Sequence, residues 1–450
     1  MNDSIALLHC LLPTLPRTTV RQFSRITLAL LAMTGRVTMR GIARWTGAGG
    51  SYRTVQRFFA TALPWASLFW LFFRAHLFRC TDTYLLGGDE TVVTKAGKQT
   101  HGVDRFFAGL YGKPVPGLAF FALSLISIQQ RRSFPIQIEQ VVRTAAEQAA
   151  ARAKRVAMVP SAATCKRKPG RPKGSTTAAK TAVPLTPELT RIQAMLRAVM
   201  TRIGALFPVT YLVLDGHFGN NNALQMARRC DLHLISKLRA DSALYLPYAG
   251  PYAGHGPRRI YGDKLNLQAI PEHYLCHTSS DDALDTRIYL LEARHKTFAQ
   301  PLNVVVIVKT NRHTHRQAHV LLFSSDLALP CAQLIDYYGL RFQLEFNFRD
   351  AKQYWGLEDF MQTTPTAVTN AANLAFFMIN VAERLRQDER HHQPDSSVLD
   401  LKAHYRGSKY VEATIKLLPE KPDPIVLARI RAKLVGLGRI HAAPADSLAA

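Results

Sequence analysis

Apolar residues along this 450-residue chain change their period several times, and each change marks a different kind of element. Residues 26–33 (ITLALLAM) predict a helix ending before Gly35. Thr38 is placed to cap a second helix, MRGIARWT, which stops at Gly47-Ala48-Gly49-Gly50, and Ser51 to cap a third, YRTVQRFFA. On that third helix Val55, Phe58 and Phe59 fall on one face, while Tyr52, Arg53, Gln56 and Arg57 fall on the other. Residues 63–78 are strongly apolar but short for a membrane span and interrupted by Arg74 and His76, which predicts a buried helix. From Thr83 the period shortens, and TYLLGGDETVV, VDRFFAGLYG and GLAFFALSLISI read as three strands, the first ending in Asp89-Glu90.

Order resumes after residue 185. Thr186-Pro187-Glu188 is a helix start, followed by the stripe Leu189, Ile192, Leu196, Val199 and Ile203. A strand over 209–214 runs into Asp215-Gly216, then a helix over 221–230 and a strand over 232–238. Residues 240–329 are strand-rich, with IYLLEARH, LNVVVIVKT and HVLLFSSDL as the clearest members. The remainder is mostly helical, beginning with YYGLRFQLEFNFRDAKQYWGLEDF (337–360) read as a helix, followed by an apolar-faced helix over 367–386.

Charge changes this picture most. The chain holds 57 Lys and Arg against 32 acids, a net charge of +25, which points to a polyanionic partner. No long lysine-rich amphipathic helix argues for a membrane surface instead. A charged outer face on the helix after Ser51 suits the second helix of a helix-turn-helix, with Arg53, Gln56 and Arg57 reaching bases and phosphates. It also suits an ordinary helical hairpin. Residues 151–180 contain nine Lys and Arg and no acid, centred on KRKPGRPKGSTT. Gly170-Arg171-Pro172 there resembles an AT-hook for the narrow A·T minor groove, and a solvated basic loop has the same composition. The six cysteines are scattered without a CxxC pair, which argues against a disulfide framework and a structural zinc site and suits a reducing compartment. The opening MNDSIALLHCLLPTLPR has no basic stretch ahead of its apolar run and is not a signal peptide by that pattern. A cytoplasmic protein, with no membrane partner, is the expectation.

Asp89 and Asp215 share a context, each placed at the end of an apolar strand. A strand-end aspartate alone is more often a turn former, but two of them in so basic a chain suggest converging carboxylates joined by a cation. In 337–360 the spacing is Tyr338, two residues, Arg341, three residues, Glu345, six residues, Lys352. This resembles the Y-(2)-R-(3)-E-(6)-K signature of the DDE transposases of cut-and-paste bacterial insertion sequences. GGDETVVTKAGKQTHGVDRFFAGLYGKP is similar to that family's first-aspartate block, with Glu90 a mild departure, and YLVLDGHFGNN to its second. The likeness runs from about Tyr84 to Phe360.

The resemblance implies an α/β protein with a ribonuclease-H-like mixed-sheet catalytic core, a β-rich insertion domain, and helical N-terminal and C-terminal regions. It divides the chain into a helical DNA-binding region (1–80), the first part of the core with its AT-hook-like loop (81–239, loop 151–185), the insertion (240–330), the helical end of the core (331–390) and a basic C-terminal region (391–450). It implies that Asp89, Asp215 and Glu345 hold two Mg²⁺ or Mn²⁺ ions for phosphodiester displacement. Arg341, Lys352 and Tyr338 would then hold neighbouring phosphates, and the cations would favour the ionised form of Glu345. The implied partners are double-stranded DNA, as terminal inverted repeats and target, and a second copy of the chain. The implied location is a bacterial cytoplasm, on the nucleoid when bound to DNA. Some members stabilise a flipped base with an aromatic ring, often Trp; no Trp lies between Trp70 and Trp355, which leaves Tyr245, Tyr248 and Tyr261 as candidates. The alternative reading is a catalytically silent, transposase-derived DNA-binding protein.

Overall fold

The computed structural model describes residues 6–47, 49–157, 179–252, 254–390 and 395–441; Arg171 and the AT-hook-like sequence lie outside the described residues. Four helices open the chain: α1 (Arg17–Ala32), α2 (Met39–Thr46), α3 (Tyr52–Ala60) and α4 (Trp65–His76). Their caps are those expected, the Thr38 side chain accepting from Gly41 N–H at 3.0 Å and Ser51 from Thr54 N–H at 3.4 Å. The first helix starts at Arg17 rather than at residue 26, because Val20 and Phe23 extend its buried stripe. Gly47, at φ 72°, ends α2 in a conformation that costs a side-chain-bearing residue strain.

The sheet begins with β1 (Tyr84–Thr94), β2 (Asp104–Ala108), β3 (Lys113–Ser127) and β4 (Arg132–Val141). After α5 (Ala145–Ala157) and α6 (Pro187–Ile203) come β5 (Tyr211–Leu214), α7 (Asn221–Arg228) and β6 (His233–Leu238). The strands read from the sequence did not include β4, which carries Pro135, a residue with no ladder donor. It is tolerated because the β3–β4 register shifts between Leu123 and Ser124, the residue that faces Pro135. In the core β4, β3 and β1 are antiparallel, and β1, β5 and β6 are parallel. The chain is thus a mixed α/β, ribonuclease-H-like protein.

The segment after residue 240 supplies β7 (Leu244–Pro247), β8 (Tyr261–Lys264), β9 (Leu275–Ser280), β10 (Leu284–His295), β11 (Leu302–Asn311) and β12 (Gln317–Ser324). Strand β12 pairs antiparallel with β6, so these strands extend the core sheet to twelve. The chain closes with α8 (Cys331–Leu340), α9 (Gln343–Gln353), α10 (Pro365–Arg390), α11 (Val398–Ile415) and α12 (Pro424–Val435).

A buried amide joins the two ends of the chain. Asn370, on α10, is 1% exposed; its Oδ1 accepts from Trp65 Nε1 at 2.7 Å, and its Nδ2 donates to the carbonyls of Phe59 (2.8 Å) and Thr61 (2.7 Å). Asn370→Leu strands one buried donor and two carbonyls, so a loss of about 2–4 kcal/mol is expected, read as a lower urea midpoint at an unchanged slope.

Among the described residues no single helix is long and apolar enough to cross a membrane. The pair α3 and α4 reaches that length and apolarity only together and is bent by 101°. Its large side chains Phe58, Phe59, Phe69, Phe72 and Phe73 are buried against the rest of the protein, as the sequence predicted for 63–78.

Candidate active site

Strand pairing, more than sequence position, gathers the acids. The last pair of the parallel β1–β5 ladder is Gly88 with Leu214, so the next residue on each strand is Asp89 and Asp215. Side chains alternate along a strand, which puts Asp89 on the face of Leu85, and Asp215 on the face of Val213. Leu85 and Val213 belong to one buried cluster with Leu340 and Leu344, which flank Arg341 and Glu345. The close approach of α9 needs Gly87: a Cβ there would lie 2.9 Å from Leu344 Cδ1 and 2.5 Å from Ile126 Cδ1.

Two expectations about these residues are corrected. Asp89 does not end its strand but lies within β1, because Thr91 and Val93 continue the antiparallel ladder with β3; what ends at Asp89 is the parallel ladder. Residues 337–360 are not one helix. Helix α8 stops at Leu340, α9 begins at Gln343 and ends at Gln353, and i→i−3 bonds bridge them. These run from the N–H groups of Arg341, Phe342, Leu344 and Glu345 to the carbonyls three residues back. That tighter turn seats Leu340 and Leu344 together on the sheet and leaves Phe342 and Phe346 exposed.

Arg341 stands between two of the acids. Its Nη1 donates to Asp89 Oδ2 at 2.8 Å and its Nη2 to Glu345 Oε1 at 3.0 Å. The guanidinium carbon lies 5.9 Å from the ring centre of the half-buried Tyr338. Burial alone would lower the Arg341 pKa, but Asp89, Tyr338 and Glu345 more than offset it and the net shift is upward. Asp89 is pushed up to about 6, first by burial, against which Arg341 and the Glu90 N–H pull it down, while Asp215 and Glu345 add to the rise. The remaining carboxylate, Asp215, accepts the His217 N–H at 3.1 Å and ends β5 as expected.

Asp89, Asp215, Glu345, Arg341 and Tyr338 therefore meet. Lys352 does not join them as a free cation: its ammonium donates to the Val92 carbonyl at 2.9 Å and lies 3.8 Å from Glu358. Burial lowers its pKa. Arg53, Gln56 and Arg57 are exposed on α3, opposite the buried Val55, Phe58 and Phe59. Trp355, just beyond the motif, is a core residue at 2% exposure, with the Lys402 ammonium 4.8 Å from its ring.

Among the described residues no three His, Cys, Asp or Glu side chains stand together as metal ligands, and Arg341 is ion-paired with both Asp89 and Glu345. The donor set nonetheless suits a hard divalent cation: three carboxylates, two from adjoining strands and one from a helix over the same face. Sequence reasoning missed the groups on the opposite face. Glu90, Glu188, Arg143 and His217 line a cavity of about 350 Å³ there. Although Glu90 is exposed by area, its carboxyl is desolvated and, with Glu188 nearby, pushed up to about 7. The sequence signals were Glu90 beside Asp89 and Glu188 in the helix start Thr186-Pro187-Glu188, with nothing to join them.

The site thus consists of aspartates on adjoining strands of a ribonuclease-H-like sheet, under a helix that offers a glutamate. The profile of the DDE superfamily endonucleases matches residues 10–290, more than half of the chain, and the chain belongs to that family. The matched span includes Asp89 and Asp215 and ends before Glu345. No curated protein matches the chain.

Proposed function

We propose that this DDE-family protein is a transposase of the Y-(2)-R-(3)-E-(6)-K subgroup, cleaving DNA at the ends of an insertion sequence and joining them to a target. The observation that carries this reading is the register of Asp89 beside Asp215, with Glu345 tied to Asp89 through Arg341. Asp89, Asp215 and Glu345 would hold Mg²⁺ or Mn²⁺, which when bound activates the attacking oxygen and stabilises the leaving one. Arg341, released from the carboxylates, would sit beside the reacting phosphate with Tyr338 next to it. Lys352, set along β1 from Asp89, would engage the backbone further out. Arg53, Gln56 and Arg57 offer a surface to the terminal repeat, and pairing two ends calls for a second copy of the chain.

The test is to incubate the purified protein with the DNA that flanks its own gene and Mg²⁺, and to map nicks on a denaturing gel. Nicks at paired inverted repeats are expected. Specific binding without any nick would instead identify a silent DNA-binding relative.

The Asp89 shift adds a pH dependence. Metal binding requires the ionised carboxylate, and at about pH 5 only about a tenth of a group with a pKa near 6 is ionised. Mg²⁺ is expected to bind about tenfold more weakly there than at about pH 7.5, with proton release on binding near pH 6, both read by titration calorimetry.

A further inference from the structure

The hairpin of β2 and the start of β3 is not used by the site as described. It runs beyond the end of β1: Thr94 faces Gly117, whereas Asp104–Ala108 pair with Gly117 back to Lys113. A turn at Gly109–Tyr111 closes it, with Gly112 at φ 59°. One face is packed, with Phe106 at 2% exposure under the Arg143 guanidinium, 4.5 Å from its ring. The tip is the reverse. Phe107 is 64% exposed, Tyr111 52% and Leu110 90%, the highest value for a large apolar side chain among the described residues.

The chemistry around this apolar tip is cationic. Arg105 and Lys113 are exposed beside it, and Arg105 Nη2 is braced on the Pro114 carbonyl at 2.8 Å. Asp104, the one acid in residues 104–117, is paired with Arg143 at 3.4 Å. Two cations without a free acid call for an anionic partner, and three exposed apolar groups call for one that also offers apolar surface. A DNA duplex does both, through phosphates outside and stacked bases inside.

Topology relates the tip to the chemistry. Strand β3 is continuous from Ala122, opposite Asp89, to Lys113. Those residues span about 30 Å at about 3.4 Å each, close to one helical turn of DNA. The hairpin also projects from the same end of the sheet at which β5 runs out to Asp215. By contrast, the tyrosines considered for base contacts are engaged: Tyr245 and Tyr261 pack edge to face at 5.6 Å, and Arg259 covers the Tyr248 ring at 4.8 Å.

We propose that the Phe107–Leu110–Tyr111 tip is a wedge that enters a base step of duplex DNA about one helical turn from the cleaved bond, with Arg105 and Lys113 on the flanking phosphates. The inference rests on the DNA-cleaving reading above and adds to it a second contact and a distortion of the substrate.

The experiment uses the full chain and duplexes of the DNA flanking its gene, with 2-aminopurine moved step by step outward from the mapped nick. Wild type is expected to raise the fluorescence several-fold at one step about a turn from the nick. The triple variant F107S/L110S/Y111S should lose that rise and bind about ten- to a hundredfold more weakly, with an unchanged melting temperature because the replaced groups are exposed. R105Q/K113Q should lower the slope of log affinity against log salt by about two. An unchanged rise and affinity in the triple variant overturns the proposal. So does loss of binding to anionic phospholipid vesicles with DNA binding intact, which would make the tip a membrane contact. If the wild type itself binds none of these duplexes, the DNA-cleaving reading falls first, and the wedge with it.

Discussion

Asp89→Asn, Asp215→Asn and Glu345→Gln are each expected to reduce strand cleavage in Mg²⁺ by at least about a thousandfold while leaving DNA binding within a few fold. A divalent ion contributes several kcal/mol of charge stabilisation in the transition state, and about 4 kcal/mol corresponds to that factor. Each substitution keeps the shape of the side chain and removes the charge that holds the ion. The three do not rest on equal support. Asp89 and Asp215 lie within the span shared with the family and follow the same ladder pair, Gly88 and Leu214. Glu345 lies beyond that span and is placed by Leu344 packing on the sheet and by the shared Arg341. Undiminished cleavage by any one variant, measured by single-turnover nicking with binding followed separately, would remove that residue from the site.

The same Asp89→Asn substitution is expected to stabilise the metal-free protein. The folded-state pKa of Asp89 is raised from 3.8 to about 6, so the native state binds the proton more tightly than the unfolded chain. The stability linked to that proton is fully present below about pH 4 and is lost as pH rises through about 6. A shift of about two units corresponds to about 3 kcal/mol, since one unit is about 1.4 kcal/mol. Asparagine cannot ionise, and Arg341 keeps Glu345 as a partner. Urea unfolding in the presence of a chelator should therefore show the variant more stable than wild type by about 2–3 kcal/mol at about pH 7.5, with the gap closing at about pH 4. Equal stabilities at both pH values would show that burial does not strain this carboxylate. Such a gain, paired with lost cleavage, is the pattern expected where a site holds like charges in place for function.

Much of the local structure was legible because its causes are local. Thr38, Ser51 and Thr186 each cap the N–H three residues on, and that spacing can be read without knowing the fold. The burial of Val55, Phe58 and Phe59 likewise follows from helical period alone. The failures have longer-range causes. Strand β4, absent from the sequence reading, carries Pro135, which is accommodated by a register shift in its pairing with β3. The run 337–360 has helical composition throughout, yet the sheet surface draws both Leu340 and Leu344 down and breaks it at Arg341.

What the sequence determined by itself was the inventory of the candidate site: two aspartates after apolar strands, and a tyrosine, arginine, glutamate and lysine at a set spacing. Only the tertiary structure decided how these groups meet. It joined Arg341 to Asp89, 252 residues apart, turned Lys352 onto the Val92 carbonyl, and raised the pKa of Asp89. Spacing is a property of neighbouring residues along the chain. Contact, burial and the resulting charge state depend on which strands pair, and that pairing is fixed by packing across the whole sheet.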